Sequence, residues 1–180
     1  MTFKATNFRG MWVIQDVFEG TIDYQEYESR GVTDIIKATE NWLETDYPAF
    51  QTTVNRTLDK LEGTDINRAD LFITNIVKCR PPQNRTPKVG EVNTSTSNYL
   101  FEQIELLNPK LIVLLGGVAA KKLLGVKSIN EARGRLIEHD GRYYLVGYHP
   151  AVRFYREDLG EKVKEDFSFL KMTLKELSLG

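Results

Sequence analysis

Five consecutive aliphatic residues, Leu111–Leu115 (LIVLL), followed at once by Gly116-Gly117, constrain this chain more than any other feature. A strand with one wet face alternates apolar and polar side chains. An unbroken apolar run of strand length is buried on both faces, as in a parallel sheet between helix layers. Three further runs fit the same sheet: Met11–Gln15 (MWVIQ), 71–77 (LFITNIV) and Arg142–Gly147 (RYYLVG). Parallel neighbours need crossovers, and the intervening text supplies them as helices. The spacing predicts helices over 32–43, with Thr33 as cap, over 50–61, closed by Gly63, and over 97–107, stopped before Asn108-Pro109. Two more are predicted over 118–124, with Gly125 as stop, and over 159–177. The polar stretch 83–98 reads mostly as loop. The expected fold is a three-layer α/β/α arrangement around a central four-stranded parallel sheet.

In such a sheet, ligands bind beyond the carboxyl ends of the strands. Four strand ends here carry polar or glycine-rich text: Gln15-Asp16, Thr74-Asn75, Gly116-Gly117 and Tyr148-His149-Pro150. Asn75 offers one acceptor and two donors in a plane, which suits a planar ligand with an amide-like edge. Gly117, opening a helix, can present backbone amides to a phosphate, or can simply permit tight strand-to-helix packing. His139, followed by Asp140-Gly141 in a turn, reads as an ordinary surface histidine.

Composition narrows the partners. With 180 residues, 41% of them hydrophobic and 27% charged, the chain has length enough for one sizeable core, and a single domain over 1–180 is expected. A formal net charge of −1 gives no global attraction to nucleic acid, so any such contact must come from a local patch. Lys78, Arg80, Arg85 and Lys88 form one basic cluster, and Arg153 and Arg156 a second; both flank the strand-end rim. The stretch 17–47 is acidic, with Asp23, Glu26, Glu28, Asp34, Glu40, Glu44 and Asp46. No apolar run is long enough to span a bilayer and no signal peptide is visible, so the chain is expected to be intracellular, in cytoplasm or nucleoid, with no membrane partner. The one cysteine, Cys79, excludes an internal disulfide and cannot alone hold a metal site.

The segment FITNIVKCRPPQNR, with Pro87 after it, resembles a motif of the uracil-DNA glycosylase superfamily, in particular the family 4, thermophile-type enzymes, whose pattern runs close to TNxVKCRPPxNRxP. The run YHPAV resembles the second motif of these enzymes, in which HPA follows the last strand. The first motif is looser: VIQDVFEG stands where family 4 has GEAPG and the archetypal family has GQDPYH. AFQTTVNRTLDKL stands where PFVGxAGxLLD would place a stacking phenylalanine, here Phe50.

The resemblance implies a DNA glycosylase that flips uracil or a related altered pyrimidine out of single- or double-stranded DNA and hydrolyses its N-glycosidic bond. The chemistry asks for a carboxylate near the sugar, a donor at the departing base, an edge reader and an aromatic stack. The candidates are Asp16 to position water, His149 to stabilise the leaving anion, Asn75 and Gln15 to read the base and Phe50 to stack on it. Lys78, Arg80, Arg85, Gly117, Arg153 and Arg156 are the candidates for DNA phosphates. The acidic 17–47 stretch is then an insertion between Asp16 and Phe50, a possible protein-docking segment. Cys79 matches one of four cysteines that hold a [4Fe-4S] cluster in family 4, but 93–98 (NTSTSN) has none, so no cofactor is expected. The alternative reading is a catalytically inactive member of the fold that binds DNA, a nucleotide or a replication or repair protein.

Overall fold

The computed structural model describes residues 11–15, for which the strand pairing is given, and 59, 71–78, 81–82, 85–150, 152 and 156–177. The helices expected over 32–43 and 50–61, the acidic stretch, Asp16, Phe50, Cys79, Arg80 and Arg153 lie outside the described residues.

The described residues form a five-stranded sheet in the order β2-β1-β3-β5-β4, with β1 Met11–Gln15, β2 Leu71–Asn75, β3 Leu111–Leu115, β4 Ile137–His139 and β5 Arg142–Gly147. β2, β1, β3 and β5 run parallel, and β4 pairs antiparallel to β5 at the edge. The expectation of a four-stranded, all-parallel sheet is therefore corrected to five strands and a mixed sheet. The extra strand is a hairpin partner: Asp140 and Gly141 both take positive φ, 48° and 72°, as the two central residues of a tight type I′ turn require. β2 is also shorter than the 71–77 run, because Ile76 and Val77 are buried outside the ladder.

Alternate residues of the strands feed two cores. Leu71, Ile73, Leu111, Val113, Leu115 and Leu145 face the last helix, Gly160–Glu176, whose Val163, Phe167, Leu170 and Leu174 complete that layer. Ile112, Leu114, Tyr144 and Val146 face the opposite layer. The second layer begins with α1 (Val89–Ser95), which passes through a π-helical turn at Thr96–Leu100 into α2 (Phe101–Leu107). It ends with α3 (Gly117–Leu124) and α4 (Ile129–Ala132); the last helix is α5.

The region 83–98, expected as loop, is thus helical from Val89 onward. Glu91 stabilises its start by accepting from the Lys88 amide at 2.7 Å, half of a capping box. Thr96, fully buried, donates its hydroxyl to the Val92 and Asn93 carbonyls at 2.9 and 3.1 Å, in competition with the regular backbone ladder where the π turn occurs. Asn108, left-handed at φ 41°, ends α2 before Pro109. Among the described residues, no helix is long and apolar enough to cross a membrane.

Candidate functional site

The parallel register sets Asn75, Gln15, Leu115 and Gly147 in one row across the sheet. Beyond that row the chain leaves each strand at its carboxyl end. From β1 it moves to β2 on one side, whereas β3 lies on the other side and leads to β5. The departures from β1 and β3 therefore diverge and open a crevice between their ends, the switch point of a doubly wound sheet. Asn75 stands on one flank of this crevice and His149, two residues past β5, on the other. Three strand intervals separate them, about 14 Å at backbone level.

The β2 end is stabilised locally. Asn75 is 7% exposed and Thr74 is nearly as buried. Lys78, partly buried, turns back so that its Nζ donates to Thr74 Oγ1 and, at 3.2 Å, to the Asn75 carbonyl. Both acceptors are neutral oxygens, and burial pulls the Lys78 amine down to about 8. The Lys78 amide donates to Ser95 Oγ at 2.9 Å, tying the strand exit to α1.

The β5 end is stabilised from a distance. His149 is also 7% exposed, and its carbonyl accepts from the Val152 amide at 2.9 Å. One residue earlier, the Tyr148 amide donates to Asp166 Oδ2 of α5 at 2.9 Å, while Arg133 Nε donates to Asp166 Oδ1 at 2.8 Å. Arg133 also reaches Glu165 and the Lys162 carbonyl. Burial raises the Asp166 carboxyl above its ordinary range, against the bonds from Tyr148 and Arg133 that pull it down. For Arg133, burial acts to lower the guanidinium, and the two carboxylates together outweigh it and raise it. Gly147 lies so close to this carboxylate that a Cβ there would stand 3.1 Å from Asp166 Cβ.

Neither Asp166 nor Arg133 was among the sequence candidates. Asp166 interrupts the apolar stripe of the last helix at the spacing Val163, Asp166, Phe167, Leu170, and a carboxylate on a buried stripe is the signal that could have found it.

The phosphate candidates divide. Gly117 is the first residue of α3; the preceding Gly116, at φ 125°, is the position that requires glycine, and its amide donates to the Gly147 carbonyl at 3.0 Å. Arg85 forms a two-pronged pair with Glu91 at 2.9 and 2.5 Å, which holds the Glu91 carboxyl down at about 2. Arg156 pairs likewise with Asp158 at 2.9 and 2.8 Å, and the Asp158 carboxyl is lowered by that bond. Lys78 faces inward, as above. These three cations are engaged with the protein's own oxygens.

The [4Fe-4S] cluster implied by the family 4 resemblance does not fit this chain. Such a cluster takes about four thiolates and the sequence supplies one, while the residue next to Cys79 is tied to a serine hydroxyl, Ser95.

Fold and rim define a doubly wound α/β protein with a polar crevice at the carboxyl ends of its parallel strands. A family model described as the Uracil DNA glycosylase superfamily matches residues 39–175, and the chain belongs to that superfamily. It is 34% identical over 130 residues to the Type-4 uracil-DNA glycosylase of Saccharolobus solfataricus, covering 67% of this chain and 59% of that protein. It is 37% identical over 120 residues to the enzyme of the same name from Thermotoga maritima, covering 64% and 62%. An 81-residue stretch is 35% identical to part of the DNA polymerase of Bacillus phage SP01, covering 45% of this chain and 9% of that protein. The chain thus spans less than two thirds of the length of the glycosylases it matches.

Proposed function

We propose that this chain is a DNA glycosylase that flips uracil, or a related altered pyrimidine, out of DNA and hydrolyses its N-glycosidic bond. One observation carries the reading: two buried polar residues, Asn75 and His149, flank the switch-point crevice at the same end of one sheet. The separation of about 14 Å leaves room for a pyrimidine between two inward-reaching side chains. Asn75, with Gln15 beside it in the row, reads the base edge. His149 donates to the base oxygen on which negative charge grows as the glycosidic bond breaks. Asp16, next after Gln15, positions the water that attacks the sugar carbon and offsets the positive charge developing there. Phe50 stacks on the flipped base.

Lys78, Arg80, Arg85, Gly117, Arg153 and Arg156 make up the phosphate side of this proposal, with Arg85 and Arg156 exchanging their carboxylate partners for phosphate on binding. The fold is one domain, the acidic 17–47 stretch being an insertion with a docking role. The misfit of the cluster and the altered first motif, VIQDVFEG, favour one second reading, a member of the fold that binds DNA or a protein without excising a base.

The test is incubation with labelled single-stranded and duplex oligonucleotides carrying one uracil, followed by alkali to cut abasic sites. Cutting at uracil is expected, falling at least about 100-fold in His149→Ala and Asn75→Ala and also in Asp16→Ala. Folded protein that binds these oligonucleotides and leaves every base in place defeats the catalytic reading in favour of the second.

A further inference from the structure

Arg85 and Arg156, expected to meet phosphate, are each paired with a carboxylate and Lys78 is turned inward, whereas three other lysines face a cleft with no ion-pair partner among the described residues. Lys121, Lys122 and Lys127, on and just after α3, line a cleft of about 640 Å3 between α3 and α1. Among the described residues no carboxylate lines this cleft and none of the three lysines forms an ion pair. Lys122 is aimed: its Nζ donates to Asn93 Oδ1 at 2.8 Å and lies 5.6 Å from the centre of the Phe101 ring. A concentrated positive cleft on a chain of net charge −1 carries a field that the overall composition hides.

The cleft opens at the rim. Gly117 belongs to both, since it follows the end of β3 and lines the cleft. Lys121 stands one helical turn further, about 6 Å along the axis. A chain of phosphates leaving the crevice past Gly117 therefore meets Lys121 next. The floor is partly apolar, with Val89 74% exposed, which suits sugar and base surface as well as charge.

We propose that this cleft binds the phosphodiester backbone of the DNA strand that carries the target base, on the side where that strand leaves the crevice past Gly117. The proposal rests on the DNA-acting reading of the rim but not on base excision. It adds Lys121, Lys122 and Lys127 as the principal phosphate contacts of the strand as it leaves the site.

The experiment measures fluorescence anisotropy of a labelled single-stranded oligonucleotide without uracil, from 50 to 200 mM salt. The proteins are wild type, Lys121→Gln/Lys122→Gln/Lys127→Gln, and Lys175→Gln, an exposed control on α5 across the sheet. Thermal unfolding checks that each variant folds, and polyglutamate serves as a competitor. Each neutralised phosphate contributes about 0.7 to the slope of log affinity against log salt on a single strand. The triple variant is expected to lose about 2 from that slope, so that the fourfold salt increase weakens it roughly 15- to 20-fold less than wild type. Lys175→Gln keeps the wild-type slope.

An unchanged slope in the folded triple variant overturns the proposal. So does a cleft whose lysines govern polyglutamate binding but not DNA binding, which would assign it to an acidic protein. Because the probe carries no target base, a reduced slope supports the cleft even where the uracil assay shows no excision, and the two readings fail separately.

Discussion

The ends of β2 and β5 present buried polar residues of equal exposure to the same crevice, yet they are stabilised in opposite ways. At β2 the partner is Lys78, three and four residues along the same segment, and the contact is an amine on neutral oxygens. At β5 the partners are Asp166 and Arg133, 18 and 33 residues apart from what they bind, joined in an ion pair whose carboxylate is buried and whose guanidinium is partly so. A local clamp forms as soon as the strand does, and its strength follows the titration of one group. A remote clamp fixes the strand end to two helices and depends on the whole layer being in place. The crevice therefore has one wall set by chain proximity and one set by tertiary packing.

The comparison is broken most directly at Asp166. Asp166→Ala leaves the Tyr148 amide without its acceptor and Arg133 with only Glu165 and the Lys162 carbonyl. Breaking a buried pair costs about 3–5 kcal/mol, and the partners Arg133 keeps hold the loss to the lower end of that range. Urea unfolding is expected to show a loss of that size, with Asp166→Asn, which still accepts from Tyr148, losing less. A loss below about 1 kcal/mol for the alanine variant means that the remote clamp does not hold β5.

Gly147→Ala sharpens the same wall from the other side. Its methyl would sit 3.1 Å from Asp166 Cβ and 3.2 Å from Oδ2, so the carboxylate has to move. Overpacking of this kind costs about 1–3 kcal/mol. Combined with Asp166→Ala the loss should be less than additive, because two of the three atoms in the way, Oδ2 and Cγ, are gone and only Cβ stays. Full additivity would place the strain elsewhere.

What the sequence revealed follows the same divide between near and far. β1, β3 and β5 were legible to the residue because each is an apolar run bounded by polar or glycine text. β2 was read two residues too long, since Ile76 and Val77 are apolar and buried without belonging to the ladder, and hydrophobicity reports burial alone. VGEVNTS read as loop because glycine, asparagine, threonine and serine are weak helix formers. Its helix is supported by Glu91 at its start and by Val92 in the core, neither visible to propensity. β4, Ile137–His139, is a half-exposed edge whose only cue was Asp140-Gly141.

At the site, Asn75 and His149 could be placed from strand ends alone. Asp166 and Arg133 could not, because their pairing spans 33 residues and needs α4 and α5 in position. Lys121, Lys122 and Lys127 belong to no motif, and their place beside the rim follows from the topology that sets Gly117 at the end of β3. Of the arginines chosen for phosphate, Arg85 and Arg156 are paired with Glu91 and Asp158, six and two residues away, and Arg80 and Arg153 lie outside the described residues.

The smallest expected effect tests the local wall. Lys78 titrates near 8 in the folded chain against about 10.5 when exposed, so between these values the unfolded chain holds more protons than the folded one. Unfolding free energy then rises with pH across that window, as linkage requires when the unfolded state binds the extra proton. Lys78→Met cannot titrate and lacks this rise. Measured by urea unfolding from pH 7.5 to 10, wild type should gain on the methionine variant by on the order of 1–3 kcal/mol as pH increases. The neutral amine keeps both hydrogen bonds to Thr74 and Asn75 while losing the desolvation penalty of the ammonium, which is why the gain comes on the alkaline side. A stability difference that stays flat with pH would mean that the amine is hydrated like any surface lysine, and the contrast between a titrating β2 wall and an ion-paired β5 wall would be gone.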